Sequence, residues 1–70
     1  MIEILDTVAL TVDINERDLL RGQVGTVVEI LAPGVFEVEF VDNDGHTYAL
    51  LPLKAEQLMA LHYAPVDKAG

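Results

Sequence analysis

The chain has no cysteine, no tryptophan and no serine, and only four cationic side chains, Arg17, Arg21, Lys54 and Lys68, against 12 acidic ones. Without cysteine, neither a disulfide framework nor a thiolate metal site is available. Without serine or cysteine, the usual activated nucleophiles are missing. The remaining hydroxyls of that kind, Thr7, Thr11, Thr26 and Thr47, all fall in strand-like patterns. The formal net charge is -8, and the four cations are scattered. A phosphate backbone repels such a surface, because nucleic-acid binding needs clustered Lys and Arg that displace counterions. An anionic membrane surface is disfavoured for the same reason. No apolar run approaches the roughly 20 residues of a membrane helix. The start, MIEILDTVAL, has neither the basic lead nor the small-residue cleavage site of a secretion signal. A cytoplasmic location is the expectation.

The chain does have apolar residues, 51% of its 70 positions. That length makes one small domain, burying about 60% of the surface its unfolded chain exposes. Regular packing or association with a partner must supply the rest of its stability.

The segment from Arg21 to Phe40, RGQVGTVVEILAPGVFEVEF, reads as a β-hairpin. Pro33-Gly34 supplies its turn: proline presets φ and glycine accepts the left-handed conformation. The strand after it is expected over Val35 to Val41. There Phe36, Val38 and Phe40 alternate with Glu37 and Glu39, which fixes the register, since a slip of one residue buries the glutamates. The strand before it is expected over Val24 to Leu31, with Thr26, Val28 and Ile30 on one face and Val27, Glu29 and Leu31 on the other. Both faces are largely apolar, which predicts a central, covered strand. Gly25 inside it signals a bulge or a close backbone approach.

Upstream, Asp6 to Val12 alternates as a half-buried strand with Val8, Leu10 and Val12 on one face. A polar loop follows, with Leu19 and Leu20 expected to fold inward. Downstream, Asp42-Asn43-Asp44-Gly45 is a turn. His46 to Leu53 is a fourth strand, in which Pro52 implies an edge, a bulge or the exit. Lys54 to Leu58 suits a single 3₁₀ turn. Met59 to His62 is a short closing strand. The domain is expected over 1–63 and a flexible tail over 64–70. Five short strands, a long first loop and tight later hairpins predict an all-β fold: a small five-stranded SH3-like barrel with one 3₁₀ turn before the last strand. The competing arrangement is an open antiparallel sheet that completes itself by dimerising.

Four segments, DTVALTV (6–12), LRGQVGTVVE (20–29), FEVEFVDNDG (36–45) and YALLPLKAEQL (48–58), resemble an uncharacterised bacterial family of short acidic proteins known only as a domain of unknown function. The likeness runs over roughly positions 4 to 60. It implies an SH3-like fold. The Gly22-x-x-Gly25-Thr26-Val27 core is also similar to KOW-type barrels of transcription and translation factors, although those carry basic loops where this chain has acidic ones. Such families often lie beside toxin-like or nuclease-like genes, which implies an antitoxin or immunity role.

The candidate chemistry is mostly acidic. The Asp42-Asn43-Asp44-Gly45 loop starts like a calcium loop, but the twelfth position from Asp42 is Leu53 where that motif needs glutamate. It is therefore read as a turn. His46 and His62 are the only imidazoles, and their spacing suggests no zinc site. Gly22-x-x-Gly25 precedes a strand and so makes no phosphate-cradling loop. Nothing calls for a metal or a cofactor. Glu37 and Glu39 share one strand face, with Glu29 a candidate opposite them. The carboxylates of Glu16, Asp18, Glu29, Glu37, Glu39, Asp42 and Asp44 form the candidate surface for a basic protein partner whose Arg or Lys they receive. The solvated-face explanation stands beside it, because acidity also keeps a small apolar domain soluble. A non-catalytic protein-binding module is thus expected. Self-association, an accessory subunit of a larger enzyme and a KOW-like nucleic-acid-associated module are the alternatives.

Overall fold

A computed structural model of the chain describes residues 1–65. The strands are β1 (Thr7–Leu10), β2 (Val24–Ala32), β3 (Val35–Val41), β4 (Thr47–Lys54) and β5 (Leu58–Ala60). They form one antiparallel sheet in the order β4-β3-β2-β1-β5. No α-helix occurs among the described residues, and hence none long enough to cross a membrane. Two 3₁₀ turns are present: the expected one at Ala55–Gln57 and a second at Asn15–Arg17 in the first loop. From Val66 on, the expected tail lies outside the described residues.

β3 has the predicted bounds and alternation. Phe36, Val38 and Phe40 are buried, and Glu37 and Glu39 are half-buried on the other side. Val8 and Leu10 of β1, Val27 of β2, Ala49, Leu51 and Leu53 of β4 and Leu58 of β5 meet these three in a single core. Every buried side chain among the described residues is apolar. The hairpin turns at Pro33-Gly34, with Gly34 at φ 75°, a conformation that glycine adopts without steric cost. Gly25 is a close approach: a Cβ there would lie 2.8 Å from the Glu39 carbonyl oxygen and 2.8 Å from Val38 Cγ1.

β2 departs from its expected alternation. Val27 faces Val38, but the next pair is Glu29 with Glu37, so Val28 is an extra residue, and a second irregularity separates Ile30 from Ala32. A bulge inserts one residue and so exchanges the faces beyond it. Glu29, expected on the side of Val27, comes out on the opposite face beside Glu37. The strand is central in the sheet, but it is not covered on both sides: Val24, Val28, Ile30 and Leu31 are all exposed.

The sheet does not close into the expected barrel, since β4 and β5 are its two ends. β5 has only three residues. Pro52 offers β4 no donor, and the Lys54 N–H is taken by the Gln57 side chain (2.8 Å). The first loop bridges the gap instead. Ile14 and Leu19 pair through two backbone hydrogen bonds, of 2.8 and 3.1 Å, and both enter the core. Asp18 makes this tight return possible at φ 56°, since aspartate tolerates the left-handed region better than most side chains. Leu20, expected inside, is 58% exposed. The loop then lies along β4, where Ile14, Glu16 and Arg17 share a groove with Leu51, Pro52, Leu53 and Gln57.

Candidate functional surface

Side chains paired across a ladder point to the same side of the sheet. The registers therefore assemble the face opposite the core row by row. One row runs Pro52, Glu37, Glu29. The next runs Leu50, Glu39, Thr26, Thr7. The structure thus brings three of the seven candidate carboxylates together, with Glu29 and Glu37 directly opposite each other. Glu39 Oε2 accepts a hydrogen bond from Thr47 Oγ1 (2.6 Å), which leaves its other oxygen unengaged by the described side chains. Among the described residues no Lys or Arg makes an ion pair with any carboxylate. Lys54 sits on the same face one row beyond Glu37, beside Val35, and does not bridge to it. Directly opposed like charges destabilise a sheet, so the Glu29–Glu37 pair costs the fold stability.

The other four carboxylates lie elsewhere. Glu16 and Asp18 belong to the first loop, where Glu16 lines the groove against β4 and Asp18 makes the left-handed turn. Asp42 and Asp44 are in the β3–β4 turn. Asp42 Oδ1 accepts hydrogen bonds from the backbone N–H groups of Asp44 and His46, both 2.9 Å, a local arrangement that holds the turn. His46 Nδ1 lies 3.7 Å from Asp42 Oδ2. Asp42, Asp44 and His46 each place one ligand-type atom within 4.8 Å of the others, and all three are exposed. Comparing the spacing of the two histidines missed this grouping; the Asp-x-Asp-x-His order was its signal. Asp42 Oδ1 is held by the two backbone amides while Oδ2 faces His46, so the turn's own hydrogen bonds bring the three side chains together.

A third row, Val24, Ala9 and Met59, crosses the same face on β2, β1 and β5. Val41 follows Glu39 by two residues on β3 and so points to the same face; it pairs with Thr47 of β4 beyond a register shift, and the β2–β3 ladder ends at Thr26 and Glu39. Val41, Val24 and Met59 are about half exposed, and Ala9 is buried among them. This exposed apolar row was not legible in the sequence, because β2 read as a strand covered on both sides.

An apolar cleft of about 550 Å³ opens at the tip of the β2–β3 hairpin, lined by Met1, Ile2, Ile30, Pro33, Gly34, Phe36 and Ala55. None of these carries an ionisable side chain, so the cleft holds no acid–base pair.

In comparison with known families, the profile described as Domain of unknown function (DUF4926) matches residues 4–60. No curated protein and no solved structure matches the chain.

Proposed function

This chain belongs to the DUF4926 family, and on that premise we propose that it is a non-catalytic module that binds a basic protein. The observation that carries this reading is the register of Glu29 against Glu37, with Glu39 in the next row and, among the described residues, no cation bridging them. A sheet face optimised for stability would alternate charges or pair them. Three carboxylates without counterions among the described residues present a ready receptor for Arg or Lys from outside. The net charge of -8 adds long-range steering toward a basic surface.

The most specific form of this reading is an antitoxin or immunity-like protein of the bacterial cytoplasm that masks a basic surface on a toxin or nuclease. Its support is the family likeness and the sign of the charge. The order of the strands and the long first loop support an SH3-like, KOW-like ancestry within the same proposal. A second reading, an accessory subunit docked through apolar contacts, draws on the exposed Val24, Val41 and Met59.

Salt separates the two readings, because the Debye length falls from ~10 Å at 0.1 M to ~3 Å at 1 M. The experiment is affinity capture from the native host at both salt concentrations, with the wild-type chain and with Glu29→Lys, Glu37→Lys and Glu39→Lys combined. A basic protein retained by the wild type at low salt, and lost both at high salt and in the variant, is the expected result. Capture of a partner that ignores both changes contradicts the acidic reading.

A further inference from the structure

The acidic rows and the apolar row lie on one continuous sheet face, and together they define a shape as well as a charge. Successive rows are two residues apart along the strands, ~7 Å at 3.3–3.4 Å per residue, which puts Glu37 some 13–14 Å from Val41. From β3 to β5 the apolar row crosses three strand spacings, about 14–15 Å. An α-helix with its side chains is about 10–12 Å across and rises 1.5 Å per residue, so two to three turns span that row. The face is open: Val24, Val41, Leu50 and Met59 are each roughly half exposed.

We propose that this face seats an amphipathic basic helix of a partner protein, its apolar side along Val41, Val24 and Met59 and its Arg or Lys side chains reaching Glu39 and then Glu37. Charge decides between this occupant and a second copy of the chain. Two copies stacked by this face bring their Glu29, Glu37 and Glu39 groups together, each chain carrying a net charge of -8, and such like-charge juxtaposition is a strong cost. A helix with cations along one flank removes that repulsion and the Glu29–Glu37 repulsion at once. A helix laid in a groove is read by apolar anchors at i, i+3, i+4 and i+7. Here the anchors meet the apolar row, and the flanking cations set the direction in which the helix lies.

The inference rests on the basic-partner reading, and the test is built so that the two fail differently. The isotope-labelled protein is titrated by NMR with a synthetic peptide helix carrying leucine at i, i+3, i+4 and i+7 and arginine along one flank. Two control peptides replace every leucine by glutamine or every arginine by glutamine. Saturable amide shifts centred on Val24, Val41, Met59, Glu37 and Glu39 are expected, with roughly tenfold or greater weakening for either control peptide and for Val24→Asp or Met59→Asp. Both residues are exposed, so either substitution leaves the core intact, and the two serve as checks on each other. If the glutamine-for-leucine peptide binds as well as the parent, the helix inference is overturned while the acidic reading stands. If the glutamine-for-arginine peptide binds as well, the acidic reading itself fails. Shifts centred on the Ile30–Phe36 cleft or the Asp42–His46 turn overturn the inference, as do concentration-dependent shifts without peptide, which indicate a second copy.

Discussion

Glu29 and Glu37 sit where folding alone does not favour two carboxylates. In the β2–β3 ladder Glu29 and Glu37 face each other, and like charges so placed oppose the pairing. Removing one charge should therefore stabilise the isolated domain. Glu37→Gln is expected to raise the unfolding free energy by about 0.2–1 kcal/mol in urea titrations, with a larger gain at low salt. A loss of stability would mean that the carboxylate supports the fold. The residue scale was also where sequence was most informative about the core. Phe36, Val38 and Phe40 alternate with glutamates, and only one assignment of faces leaves the charges wet. Gly25 was legible as a bulge or a close approach, since an isolated glycine in a strand needs a reason; the close approach is what the structure shows, and the bulge falls at Val28 instead. Opposition of Glu29 and Glu37 could only be suspected, because pairing across strands is set by the bulge and not by either strand's own composition.

At the level of elements, two features decide what the surface presents. The first is the extra residue Val28, which turns Glu29 out beside Glu37. Strict alternation along Val24 to Leu31 assigns Glu29 to the wrong side, and a stretch whose two faces are both largely apolar gives no local sign that alternation breaks. The second is the first loop, which covers the gap between the sheet's ends where a closed ladder was expected. Its hold on the core is Leu19, 1% exposed, while neighbouring Leu20 points to solvent. Nothing in the Leu-Leu pair itself distinguishes them; the left-handed Asp18 and the Ile14–Leu19 pairing do. Leu19→Ala is expected to cost about 2–5 kcal/mol, within the range for emptying a buried leucine site. Leu20→Ala should change stability by no more than about 0.5 kcal/mol. A domain of this size has only about 3–5 kcal/mol in total from its core, so chemical denaturation should show the Leu19 variant with a large part of its stability lost. Equal effects of the two substitutions would refute this account of the loop.

For the whole molecule, the all-β class, the five strands and the hairpin turn at Pro33-Gly34 follow from periodicity and turn chemistry. Closure did not follow, because it depends on edge strands whose hydrogen-bonding groups are shortened at β5 and depleted at Pro52 and Lys54. The result is a small open sheet with an apolar core on one side and, on the other, a face that carries an exposed apolar row and carboxylates paired with no cation among the described residues. That combination is what the proposed binding of a partner of opposite charge requires. The dissociation constant of the captured partner, measured from ~0.1 to ~1 M salt, tests this most directly, with the wild type beside the combined Glu29→Gln, Glu37→Gln and Glu39→Gln variant. The account predicts steep weakening with salt for the wild type. For the variant it predicts affinity at least about tenfold lower at low salt and a flatter salt dependence. Equal affinities with equal salt slopes would contradict it.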